Sequence, residues 1–352
     1  MPSSSLRHLT SQDATRLLGL IDRFDRHTVA VVGDLLADEF IYGRVARVSR
    51  EAPVLILEYD KSQVVPGGAG NAANNVAALG GATRAAGVVG DDESGTKLVE
   101  ALPENVDRRF ILRARGGHTP TKTRILAGGI HSAKQQVVRI DRHPRARVDD
   151  QTRAAFQRKA LSAIKGCDGI LVSDYGAGLI TPALVAEIKR TAAARRQTPV
   201  PILVDSRYDL HRYRGLTACT PNESEVESLL GVHIDDNARV LEKSGRALLA
   251  RTGMDIVLVT RGSRGMALFE RDRPTHHLAI FGSDEIADVT GAGDTVIATM
   301  TLALAAGGTA LEAARLANYA GGLVVMKRGT ATVSGAELRQ AVLSDVREGG
   351  RR

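Results

Sequence analysis

Three features of the sequence predict an α/β fold: a three-layer α/β/α sandwich around a mostly parallel sheet. Continuous apolar runs of strand length recur at Thr28–Val32, Gly169–Val172, Pro201–Val204 and Ile256–Val259. Such runs suit strands covered on both faces, where no alternation with polar residues is needed. Segments of helical apolar spacing lie between the four runs, at about 149–165, 181–196 and 237–252. A leading one at 11–24 carries Ala14, Leu17, Leu18, Leu20 and Ile21. Alternating strands and helices give a parallel sheet with helices on each side. Two stretches break the alternation. Residues 40–65 contain Val54–Tyr59 and no helical pattern, and residues 108–141 read as short strands (109–112, 123–126, 136–140) with glycine-rich turns. Together they predict a small antiparallel β lid inserted in one domain spanning 1–352, with a pair of surface hairpins as the plainer reading.

The apolar runs end in polar clusters: Gly33-Asp34, Ser173-Asp174, Asp205-Ser206-Arg207 and Thr260-Arg261-Gly262. In open α/β sheets ligands gather at the carboxyl ends of the strands, so chemistry-capable residues fall where a site is expected. Composition narrows the function classes. Apolar residues make up 43% and charged residues 25%, which suits a packed core rather than disorder. Aromatics are 3% with no Trp, which removes the stacking platforms of single-stranded nucleic-acid binders. The net charge of +7 is scattered and forms no block, so it fits anionic metabolites and a solvated basic surface. The weakly polar run at 296–306 is too short to span a membrane. The N-terminus carries no signal pattern, and Cys167 and Cys219 lack metal-ligand spacing. A cytoplasmic protein without nucleic-acid or membrane partners is expected.

The stretch Asp288-Val289-Thr290-Gly291-Ala292-Gly293-Asp294-Thr295 leads directly into an apolar helical run. Two glycines let backbone N–H groups turn outward, and the helix aims its positive end at the same point. Asp294, in the first turn, can face an anion held there. A phosphate cradle beside a fixed carboxylate is what phosphoryl transfer to a hydroxyl requires. The plain alternative is a strand–turn–helix junction. Pro66-Gly67-Gly68-Ala69-Gly70-Asn71 opens a second helical run, where Gly67 and Gly68 permit close approach and Asn71 offers a donor and an acceptor to a hydroxyl. Gly68-x-Gly70-x-x-Ala73 also fits a loose dinucleotide fingerprint, but the preceding strand is short and interrupted by Pro66. Asp34 can accept bonds from two vicinal hydroxyls, or act as a turn residue. Asn222 and Glu225 in Thr220-Pro221-Asn222-Glu223-Ser224-Glu225 read by themselves as a helix N-terminus.

The octet and the Gly-Gly-Asn motif resemble the signatures of the ribokinase-like (PfkB) carbohydrate kinases. The resemblance covers about residues 28–340. It implies a ribokinase-like fold, Asp294 as catalytic base and the Gly291, Ala292 and Gly293 amides as anion hole. Asp34, Asp38, Gly67, Gly68 and Asn71 would position a sugar. Asn222 and Glu225 would help hold phosphate and Mg²⁺, Glu225 through water. Thr260, Gly262 and Gly265 are similar to the nucleotide-phosphate loop, and Asn318 matches a position lining the adenine pocket, with a plain helix-surface asparagine as the alternative. The implied cofactors are ATP and Mg²⁺, with a monovalent cation as a further candidate. Arg47–Val54, Gln135–Asp141 and Ser173–Gly176 resemble the D-glycero-β-D-manno-heptose 7-phosphate kinase branch. Arg50 and Asp205-Ser206-Arg207 depart from it, where Pro and Asp-Pro-Lys are usual.

The expected activity is ATP-dependent phosphorylation of a sugar or sugar phosphate, heptose 7-phosphate first. A ribose-, fructose- or nucleoside-type kinase and a non-catalytic sugar- or nucleotide-binding module are the alternatives. Lys122, Arg124 and Arg139 are candidates to neutralise a substrate phosphate, with plain surface charge as the alternative. The resemblance further implies a homodimer formed through the lid; the length beyond the matched stretch leaves no room for the nucleotidylyltransferase half of fused versions, so a stand-alone kinase is expected.

Overall fold

The computed structural model describes residues 5–6, 9–128, 134–142, 148–194, 199–282, 288–327 and 329–349. Ten strands form the main sheet: β1 (Ser5–Leu6), β2 (Thr28–Gly33), β5 (Ala82–Gly90), β6 (Val106–Ala114), β9 (Gly169–Asp174), β10 (Ile202–Ser206), β11 (Ala218–Cys219), β12 (Ile256–Thr260), β13 (Met266–Glu270) and β14 (His276–Leu278). Their order is β1-β14-β13-β12-β11-β10-β9-β2-β5-β6. Every neighbouring pair is parallel except the two that involve β13. The second sheet holds β3 (Leu35–Val48), β4 (Leu55–Gly68), β7 (Thr121–Gly128) and β8 (Gln135–Arg142), in the order β4-β3-β7-β8.

The apolar strand runs serve both faces because successive side chains point to opposite sides. Val29 and Val31 of β2 join one core, and Ala30 and Val32 join the other. The first core is closed by α1 (Ser11–Ile21), α2 (Ala69–Ala78), α3 (Glu93–Glu100), α8 (Ala292–Ala305), α9 (Ala310–Val325) and α10 (Gly335–Gly349). The second is closed by α4 (Asp150–Ala163), α5 (Pro182–Ala193), α6 (Glu223–Leu230) and α7 (Ala238–Thr252). Helix α8 is buried from Asp294 to Ala303, as expected of a helix apolar on nearly all sides. Burial of Val296, Ile297, Met300 and Leu302 stabilises it by roughly 1.5–3 kcal/mol each. Thr299 and Thr301 return their hydroxyls to the carbonyls of Thr295 and Ile297 at 2.7 Å, so no polar group is stranded there.

Three sequence expectations need correction. Residues 109–112, assigned to the lid, belong to β6 and pair in parallel with β5 at the edge of the main sheet. An edge strand exposes part of its surface, so its mixed composition resembles that of a lid strand. The small sheet is also not purely antiparallel, since β3 and β7 run parallel while β3–β4 and β7–β8 are antiparallel. The strand before the Gly-Gly motif is long rather than short: β4 runs through Pro66 to Gly68. Pro66 is tolerated because β4 is an edge strand. Among the described residues, no helix is long and apolar enough to cross a membrane.

Packing is tight where α7 crosses β13. A Cβ on Gly245 would lie 2.3–2.5 Å from three atoms of the buried Phe269 ring. Helix propensity favours Ala over Gly by about 1 kcal/mol, whereas overpacking costs about 1–3 kcal/mol. Gly245→Ala is therefore expected to lower the melting temperature; a rise measured by calorimetry would contradict this packing.

Candidate active site

The carboxyl ends of the parallel strands, the base of the small sheet and the N-termini of α2 and α8 converge on one place. Gly291 caps α8 in the left-handed region (φ 79°), where a side chain would be strained. A Cβ there would also meet Asn71 Nδ2 at 2.5 Å. At Gly293 a Cβ would meet nothing within 4 Å, so the first turn of α8 stands open. Asp294 lies in that turn and is 4% exposed. Its Oδ2 accepts a hydrogen bond from Asn71 Nδ2 at 2.8 Å, and its Oδ1 accepts one from the Tyr175 hydroxyl at 3.1 Å. Burial pushes the Asp294 pKa up to about 6; the Asn71 and Tyr175 bonds and Lys122 act against that rise, and Asp38 adds to it.

Asn71 is held in turn by its own helix. Asn75, one turn further along α2, donates Nδ2 to the Asn71 carbonyl at 3.0 Å and to Asn71 Oδ1 at 3.2 Å. Thr295 donates its hydroxyl to Asn75 Oδ1 at 2.8 Å. The amide of Asn71 is thus turned so that its NH₂ faces Asp294. Asn75 was not singled out in the sequence. Its position four residues after Asn71, on the same helix face, is the signal that would have found it.

Asp34 follows β2 and is 1% exposed. Its Oδ2 accepts N–H groups of Tyr175 at 2.8 Å and Ala177 at 3.0 Å, while its buried Oδ1 has no partner. Burial raises its pKa to about 7, with nearby Asp174 adding to the rise against the backbone donors. Asp38 of β3 is ion-paired with Arg124 of β7. A Cβ on Gly67 would meet Asp38 Oδ2 at 2.2 Å, which explains glycine at that position; Gly68 follows as the last residue of β4. Lys122 of β7 stands 5.2 Å from the centre of the Tyr175 ring, and its burial lowers its pKa. Arg139 sits on exposed β8 and pairs with Asp141 at 2.6 Å. Of the three expected cations, Arg124 and Arg139 form close ion pairs, whereas Lys122 feels Asp38 and Asp294 only through their electrostatic field among the described residues.

A cavity of about 450 Å³ opens beside Asp294. Gly291, Ala292, Gly293, Asn222, Glu225, Thr260, Gly262, Gly265 and Asn318 all line it. Asn222 and Glu225 form a capping box on α6, with Asn222 Oδ1 accepting Glu225 N–H at 2.8 Å and Glu225 Oε2 accepting Asn222 N–H at 3.0 Å. The plain helix-start reading therefore holds alongside a place in the cavity wall. Burial raises the Glu225 pKa. Arg261 pairs with Glu223 at 2.7 Å, and Arg264 pairs with Glu223 and with Asp236, which pins the 260–265 loop against α6. Asn318 donates to the Ala279 carbonyl at 2.8 Å. Met266, Ile280, Val296 and Val325 form an apolar stretch of the wall. Tyr175, Asp205, Arg207 and Thr220 also line it and were not chosen as site residues in the sequence. Burial and the nearby Asp294 and Glu225 push the Asp205 pKa well up. Thr220 Oγ1 is buried without a partner. Each of these lies at or just past the end of a strand, which was their available signal.

The family comparison identifies a phosphotransferase acting on a sugar. Residues 26–336 match the model of the pfkB family carbohydrate kinases, and the chain belongs to that family. It is 40% identical over 338 residues to the bifunctional protein HldE of Trichlorobacter lovleyi, covering 96% of this chain and 67% of that protein. It is 42% identical over 314 residues to the HldE protein of Geobacter metallireducens, covering 88% and 61%. The chain thus spans less than two thirds of the latter relative's length. Among solved structures, it superposes with a TM-score of 0.68 on Arabidopsis thaliana ribokinase complexed with ribose and ATP, at 20% identity and covering 91% and 98% of the two chains. Escherichia coli phosphofructokinase-2 in complex with potassium gives 0.70 at 17% identity, again covering 91% and 98%. These likenesses show the ribokinase-like fold.

The buried Asp34 yields a test by linkage. Its folded pKa of about 7 lies above its ordinary value, so its stabilising contribution is present at low pH and is lost as pH rises towards 7. Asp34→Asn removes that loss. Its melting temperature relative to wild type is expected to be several degrees more favourable at pH 8 than at pH 5; equal differences at both pH values would contradict the raised pKa.

Proposed function

We propose that the chain transfers the γ-phosphoryl group of ATP to the anomeric hydroxyl of a heptose 7-phosphate. The observation that carries this reading is Asp294 at the open N-terminus of α8, 2.8 Å from Asn71 and at the edge of a cavity large enough for a nucleotide. A carboxyl with a pKa of about 6 is ionised at pH 7.5 yet basic enough to take a hydroxyl proton. The acceptor oxygen attacks the γ-phosphorus as its proton passes to Asp294. The bond to the β-phosphate oxygen breaks, and ADP leaves. The Gly291, Ala292 and Gly293 N–H groups hold charge on the transferring group, helped by the positive end of α8.

Asp34, with its unpartnered Oδ1, and Asp38, beside Gly67 and Gly68, receive sugar hydroxyls. Asn71 lies between sugar and base. Lys122 takes the substrate phosphate, with Arg124 and Arg139 on adjacent strands adding positive field. Thr260, Gly262 and Gly265 border the nucleotide phosphates, and Asn318 lies near the apolar wall that receives the base. The orphaned Thr220 hydroxyl and the acids Asp205 and Glu225 suit a hydrated divalent cation. Mg²⁺ bound there would neutralise charge on the nucleotide phosphates. The choice of heptose 7-phosphate rests on the branch resemblance and on the HldE relatives. The small sheet acts as a lid that excludes water. Its exposed Val48, Leu55, Val138 and Ile140, with Val54 in the β3–β4 connection, support its pairing with a second copy of the chain.

ADP release measured with heptose 7-phosphate, fructose 6-phosphate, ribose and no sugar tests the reading. Release is expected to be fastest with heptose 7-phosphate; preference for another acceptor would reassign the substrate. Asp294→Asn is expected to fold normally and to lose at least about 10³-fold in kcat. Turnover near the wild-type rate would remove Asp294 as the base.

A further inference from the structure

Tyr175 touches both acids of the site with its two ends. Its backbone N–H donates to Asp34 Oδ2 at 2.8 Å, and its phenol donates to Asp294 Oδ1 at 3.1 Å. The loop that carries it is pinned. Ala177 N–H binds the same Asp34 oxygen at 3.0 Å, and Gly176 N–H binds Asp174 Oδ1 at 3.1 Å. Asp174 is itself fixed by the hydroxyls of Ser206 at 2.9 Å and Tyr213 at 2.7 Å. The Tyr175 ring carries Lys122 at 5.2 Å from its centre. The phenol therefore approaches Asp294 from a fixed base, on the oxygen that Asn71 does not use.

We propose that Tyr175 is a positioning residue for the base: its phenol O–H, opposite the Asn71 amide, fixes the Asp294 carboxylate plane and holds it ionised in the reacting complex. This rests on the reading of Asp294 as base. A carboxylate oxygen accepts up to two hydrogen bonds, so each Asp294 oxygen keeps one lone pair after Tyr175 and Asn71 are served. One of these remains for the acceptor hydroxyl. Tyr175 keeps its proton, because burial and the neighbouring acids raise its pKa well above the ordinary value. Donation to the charged form favours that form, so losing the phenol raises the Asp294 pKa. Among the described residues, Asp38 of β3, Lys122 of β7 and Asp205 of β10 also act electrostatically with Asp294, and they stay in place when only the hydroxyl is removed.

The test is the pH profile of kcat for Tyr175→Phe, at saturating ATP and sugar phosphate. The ring remains beneath Lys122, and a melting temperature equal to wild type verifies the fold. The acid limb of kcat is expected to move up by about one pH unit, with the KM for sugar within about twofold because the N–H to Asp34 is kept. Titration of Asp34 in the free enzyme appears in kcat/KM and is thereby separated. An acid limb coincident with wild type overturns the inference. If Asp294→Asn is inactive while the Tyr175→Phe limb is unmoved, this inference alone fails; if Asp294→Asn turns over, the base reading fails and takes this one with it.

Discussion

The hydrogen bond between Asn71 and Asp294 joins two helix N-termini whose residues are 223 positions apart in the chain. A carboxylate this deeply buried is costly unless donors meet it. Asn71 and Tyr175 supply them, and the open end of α8 adds a favourable field. The arrangement is bought by fixing α2 against α8, and the Asn71–Asn75–Thr295 bonds do that fixing. Gly291 must stay without a side chain for the two helices to meet, since a Cβ would occupy the Asn71 amide.

The parallel sheet sets the remaining distances. Strands β2, β9 and β10 lie side by side in register, so Asp34, Tyr175 and Asp205, at or just past their carboxyl ends, face a common space. The small sheet grows directly from this edge. β3 begins two residues after Gly33, and β4 delivers Gly67 and Gly68 to the start of α2. Asp92 ties its base down: Oδ2 accepts Thr119 N–H at 2.9 Å, and Oδ1 accepts the Thr119 hydroxyl at 2.6 Å and Gly95 N–H at 2.8 Å. The element that carries Asp38, Lys122 and Arg124 is therefore anchored where the main-sheet strands end.

Much of this was legible in the sequence because burial on both faces leaves long apolar runs, and these marked β2, β9, β10 and β12 closely. The octet and the Gly-Gly-Asn motif were legible because Gly67, Gly68 and Gly291 sit where a side chain would clash or be strained. The edge strand β6 was not: half-exposed strands of a main sheet and of a small sheet share one composition. Tyr175, Asn75 and Asp205 were overlooked as site residues for a related reason. A tyrosine after a strand and an asparagine inside a helix carry no local mark of what they meet, and their partners come from distant segments. Asn222 and Glu225 show the converse, since a capping box accounts for their local bonds and leaves any role towards a nucleotide to their position in the cavity wall.

The most direct test is a crystal structure with Mg²⁺, ADP and fluoroaluminate, together with the sugar phosphate. The planar fluoroaluminate should lie against the Gly291, Ala292 and Gly293 amides within about 3 Å, with the acceptor oxygen between it and Asp294. Fluoroaluminate bound away from the α8 N-terminus, or an acceptor oxygen out of reach of Asp294, would contradict the account.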